Sequence, residues 1–209
     1  MQVRGLLLAV GLLLATGAQA QTLPKPAEFY FENDALAMKP IVAVRETGEA
    51  ATEKLLRAIQ RNPRGVAERA QLAHIAMEAG RVELGRQLYD DALLRVTTSD
   101  ALYRPLLWNY GWDLYRSGDD QAALRQWLQL VAARNSTAHW IPMTLAMVLW
   151  SLDRRDEAVQ WYAAAVRSEP TQWATTARHA ELLPGWTASE RATLAEVQAA
   201  WAANPPTWP

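Results

Sequence analysis

From about Gly48 onward, apolar residues return at steps of three and four positions, first through ATEKLLRAIQRNP, then through AERAQLAHIAMEAGRVELGRQLYDDALLRV, and again in the later segments. That is the period of amphipathic α-helices. Strand alternation is nearly absent, because β-branched residues are sparse and nowhere alternate over a full strand. The pattern predicts an all-α fold.

Two N-terminal segments depart from it. Residues 1–20, MQVRGLLLAVGLLLATGAQA, place Arg4 before an apolar run from Leu6 to about Ala15 and close on Ala18-Gln19-Ala20. This is the grammar of a cleavable signal peptide, with small residues at −3 and −1 of the cut. The run is too short to span a bilayer. The expectation is a chain exported to the periplasm or secreted, beginning at Gln21, with no membrane span after cleavage. Residues 21–47 form an arm that Pro24, Pro26 and Pro40 interrupt, so no helix runs through it. Its Phe29 and Phe31 are the rings expected to pin it to the body.

Within the helical part, from 48 to 183, small residues recur. Ala51, Gly85, Ala123 and Ala158 stand 34, 38 and 35 positions apart, each followed four residues later by a large one: Leu55, Tyr89, Trp127 and Tyr162. Small residues suit the crossing of two closely packed helices, where interaxial distances near 8 Å leave room for little else. The large ring then fills the space between neighbouring hairpins.

A repeat of that length, helix, tight turn, helix, resembles the tetratricopeptide family. In WNYGWDLYRSGDDQAALRQW the resemblance rests on Asn109, Gly111 and Leu114 in the first helix, Gly118-Asp119 at the turn, and Ala123, Leu124 and Trp127 in the second. Residues 139–170 resemble it as well, with Ala146, Ala158, Tyr162, Ala165 and Pro170, and residues 66–97 form a looser copy. The resemblance implies a short right-handed α-solenoid whose concave wall holds a peptide or partner surface. Residues 184–209 are expected to close it: Thr187 and Glu190 offer a capping box for a helix through about Ala203, with Leu194, Val197 and Trp201 on one face and Trp208 as a staple beyond. Before it, QWATTARHAELL reads as a short helix ending at Pro184.

The aromatic residues divide. Tyr110 and Trp127 read as core, whereas Trp108, Trp112 and Tyr115 form a second stripe on the same helix. The next first helix adds Trp140, Met143, Met147 and Trp150 at corresponding positions, and the preceding one adds His74. These eight residues are the candidate groove. Two arrangements satisfy the pattern: the rings pack on neighbouring helices or under the arm, or they stand open to a partner.

Composition then narrows the chemistry. Half of the residues are hydrophobic, enough for a real core, and the formal net charge of −1 carries no basic footprint for nucleic acid. There is no cysteine, which excludes disulfides, thiolate zinc sites and cysteine nucleophiles. His74, His139 and His179 lack metal-ligand spacing, and the chain has no GxSxG, Walker or glycine-rich phosphate motif. No cofactor or metal is expected, and the reading is a non-enzymatic interaction module. By resemblance to exported tetratricopeptide proteins, its partner is a protein or peptide of a bacterial envelope complex for secretion, pilus assembly or TonB-type transport. The alternative is a glycan or cell-wall binder, since tryptophan faces also stack on sugars. Of the lysine, arginine and asparagine clamp by which some relatives hold a peptide carboxylate, only Asn109 is present.

Overall fold

Three times among the described residues a helix is followed two positions on by a residue with left-handed backbone, and the next helix starts two positions after that. In the computed structural model, which describes residues 22–207, these residues are Gly80 (φ +73°), Gly118 (φ +87°) and Asp153 (φ +59°). The expected signal peptide, the Gln21 start and Trp208 lie outside the described residues. The turns join α2 (Val66–Glu78) to α3 (Val82–Leu93), α4 (Tyr103–Arg116) to α5 (Asp120–Arg134), and α6 (Ile141–Ser151) to α7 (Arg155–Ser168). The Asp119 carboxylate accepts from the Ala122 amide at 2.9 Å and so caps α5.

The fold is all-α: among the described residues the extended backbone contributes one isolated bridge, between Glu32 and Ala138. Successive hairpins stack as a helical repeat solenoid, with α1 (Gly48–Arg61) packed on α2 at one end and α10 (Ala188–Ala203) across both α6 and α7 at the other. The small-then-large spacing accounts for the core. Ala51, Ala123 and Ala158 are fully buried, and so are Leu55, Trp127 and Tyr162, with Tyr89 1% exposed. A Cβ on Gly85 would overlap the Met77 side chain and stand 3.1 Å from the Ala73 carbonyl oxygen, so α3 crosses α2 at glycine distance.

The C-terminal cap forms on its expected signals. Thr187 and Glu190 close a reciprocal capping box at the start of α10, and Leu194 and Val197 are fully buried. One element differs from expectation. In place of a continuous helix, residues 170–182 make α8 (Pro170–Trp173), a 3-10 turn (Thr176–Arg178) and α9 (His179–Leu182), because Thr175 is extended (φ −134°, ψ 165°) and breaks the helix after one turn. No helix among the described residues is long and apolar enough to cross a membrane.

Candidate functional site

The first helices α2, α4 and α6 wall a cavity of about 900 Å³. Its remaining sides come from arm residues Met38 to Val42 and from the segment Trp173 to Trp186. On α4 the lining positions are Trp108, Asn109, Trp112, Asp113 and Arg116, one face of the helix at the expected period.

Of the eight sequence-derived candidates, His74, Trp108, Trp112, Trp140 and Met143 meet at this cavity. Trp108 lies 5.0 Å from Trp140 and 5.6 Å from Trp112 between ring centroids, both edge-to-face. Trp112 also meets Trp127 at 5.2 Å and, from the C-terminal segment, Trp186 at 5.2 Å. The other three candidates do not face the cavity. Met147 is fully buried. Trp150 turns to the cap instead, its Nε1 donating to Glu196 on α10 at 2.8 Å with the Arg155 guanidinium over its ring. Tyr115 lines a separate polar dent of about 440 Å³ and shares a hydrogen bond with Ser151 at 3.0 Å. The cause is common to all three. The cap lies over α6 and α7, so the concave face ends near Thr144 and, on α4, passes to Arg116 rather than Tyr115.

A polar network is set into the aromatic wall. The Asp113 carboxylate, 5% exposed, takes the His74 Nδ1 at 2.9 Å and the Tyr89 hydroxyl at 2.7 Å. The hydrogen bond to Asp113 raises the His74 pKa above the ordinary imidazole value, and burial drives the Tyr89 phenol well above its own. Arg116 pairs with Glu190 at 2.8 Å and sits over Trp112, tying α4 to the cap. The sequence named His74 but offered no signal for its partner, because Asp113 lies 39 positions away and reaches it only through helix stacking.

The arm runs along the same wall without a helix, broken by one hydrogen-bonded turn at residues 35–38. Its anchor is Tyr30, not the two phenylalanines. Tyr30 is 5% exposed, its amide donates to Ser168 Oγ at 2.8 Å, and its ring packs on Trp161, while Phe29 and Phe31 are 46% and 74% exposed. Successive side chains of an extended strand point to opposite sides, so burying Tyr30 turns both neighbours outward. Glu32 then pairs with Ala138, and the Asp34 carboxylate, 2% exposed, is gripped by Arg104 in a two-pronged pair and by Trp140 Nε1 at 3.2 Å. Further on, Asn109 Nδ2 donates to the Lys39 carbonyl at 2.8 Å. The Gln71 amide accepts from the Ala43 and Val44 amides and donates to the Val44 carbonyl, each at 2.8 Å. The arm therefore covers part of the concave wall, and the cavity is what remains beside it.

On the far side, His179 braces the C-terminal segment. It is 4% exposed, packs on Trp173 at 5.8 Å, and places Nε2 3.2 Å from the Tyr162 hydroxyl. That hydroxyl spends its proton on the Trp173 carbonyl at 2.7 Å, so His179 Nε2–H is the donor and Nδ1 is left as a bare lone pair with no protein partner among the described residues. Burial lowers its pKa. Among the described residues no group of histidines and acids is arranged to hold a metal ion.

No family model matches the chain, and neither a curated protein nor a solved structure matches it.

Proposed function

We propose that this protein is a non-enzymatic interaction module that holds an extended segment of a partner protein on the concave wall of a tetratricopeptide-type array. One observation carries the reading: the wall already holds a non-helical stretch of the arm, Lys39 to Val44, whose backbone groups are read by the side-chain amides of Asn109 and Gln71. Such contacts are indifferent to sequence. Beside them, the cavity of about 900 Å³ offers apolar walls from Trp108, Trp173 and Trp186. The turn positions and the small-then-large spacing support the repeat type. The N-terminal segment supports export, and with it a partner in the bacterial envelope such as a secretion, pilus or TonB-type complex.

The glycan alternative is less well served. Stacking on sugar needs open ring faces, whereas Trp112 and Trp140 are 7% and 4% exposed and packed edge-to-face on their neighbours.

Site-specific photocrosslinking tests the reading. A benzophenone side chain at Ile75, on the cavity wall, is expected to capture polypeptide in cells, whereas one at Leu94, 85% exposed and outside it, is not. Equal capture at both positions, or none at Ile75, would sink it.

A further inference from the structure

Charge around the cavity narrows the kind of segment it takes. Four carboxylates line it, Glu46, Glu78, Asp113 and Glu169, against one guanidinium, Arg116. Arg116 is already matched by Glu190, Glu46 by Lys54 at 2.6 Å, and Asp113 is held inside the wall by His74 and Tyr89. Two acids remain for a ligand. Glu78, its side chain 67% exposed, closes the α2 wall with His74 Nε2 at 3.5 Å and the Arg116 charge within electrostatic reach. Glu169 stands on the opposite, C-terminal wall and takes one hydrogen bond from Gln172 at 2.9 Å.

The arm gives an independent indication. Its residues 35–45, ALAMKPIVAVR, are apolar apart from two cations, Lys39 and Arg45, and the carboxylates that flank them, Asp34 and Glu46, are taken up by Arg104 and Lys54. A chain of that composition is what the same wall tolerates in cis.

We propose that the cavity selects an extended, apolar peptide segment bearing one or two cations and no carboxylate, its cationic side chains directed to Glu78 and Glu169. This rests on the groove reading above and adds the chemistry of the partner. Carboxylates in a ligand would meet the like charge of Glu78 and Glu169 beside low-dielectric walls, and that repulsion supplies the selectivity.

Fluorescence anisotropy with the full chain tests it, using a labelled ALAMKPIVAVR peptide and the same peptide carrying Lys39→Glu and Arg45→Glu. The cationic peptide is expected to bind about tenfold or more tightly at low salt, with the gap closing as salt is added. In the Glu78→Gln/Glu169→Gln protein the gap is expected to fall to about threefold or less, as both cavity acids lose their charge. Equal affinity for the two peptides, or a gap that survives the double substitution, overturns the charge selection and leaves the groove reading standing. If neither peptide binds while Ile75 still captures polypeptide, this partner chemistry is wrong. If neither peptide binds and Ile75 captures nothing, or soluble glycan strands bind instead, both readings fall.

Discussion

Gly111 of α4 faces the indole of Trp127 on α5 so closely that a Cβ at 111 would stand 2.7 Å from Cε2 of that ring. The glycine is therefore a packing requirement, and Trp127, fully buried, is the ring that demands it. Trp127→Ala is expected to cost about 3–5 kcal/mol by emptying a site between helices. Gly111→Ala overpacks the same place and is expected to cost about 1–3 kcal/mol. Chemical denaturation of both variants checks the pair, and a Gly111→Ala protein as stable as the parent would show that α4 and α5 do not cross here.

The arm's grip on the wall has its own test. Gln71→Ala removes three hydrogen bonds to Ala43 and Val44 and should loosen the arm locally by about 1–3 kcal/mol while leaving the helices intact. Hydrogen exchange is the measurement. The amides of Ala43 and Val44 should exchange faster, and those of Leu124 and Leu130 in α5 should not.

Asp34 is the arm's most buried charge, and its loss should be felt globally. Asp34→Ala leaves Arg104, itself only 17% exposed, without its carboxylate, an expected cost of about 3–5 kcal/mol. The thermal midpoint reads this. By contrast Phe31→Ala, at an exposed ring, should leave the midpoint within error.

Two histidines give opposed pH dependences. His179 has its folded pKa lowered by burial, so its contribution to stability is present above the unfolded value of about 6.5 and is lost as pH falls through the folded one. His74 has its folded pKa raised by Asp113, so its contribution is present below about 6.5 and is lost as pH rises through the folded value. His179→Gln should flatten the acid side of the stability profile and His74→Gln the other side. Denaturation midpoints between pH 5 and 8 separate them, and identical profiles for the two variants would refute the assignment.

How far the sequence carries differs between fold and site. The helices, their turns and their crossing points were legible because each follows from local period and residue size: Ala123 and Trp127 announce a crossing wherever they recur together. The groove was legible only in part, because its edge is set by elements distant in sequence. Nothing near Met147, Trp150 or Tyr115 says that α10 covers α6, and nothing near Trp112 says that Trp186 will close on it. Likewise FYF contains two candidates for burial on one side and one on the other. Only the position of Ser168 and Trp161, more than 130 residues on, chooses Tyr30.

The path of the arm also bears on how the molecule comes apart. Hairpins that touch only their neighbours form a linear chain, which can fray from either end one unit at a time. Here the stretch from Tyr30 to Val44 is fastened to α7, the α5–α6 loop, α4 and α2 in turn. That turns the line into a loop: the last hairpin cannot peel away without also releasing the first residues of the body. Unfolding is accordingly expected as one concerted transition, and since the tether joins early residues to late ones, it forms only after the final hairpin has been made.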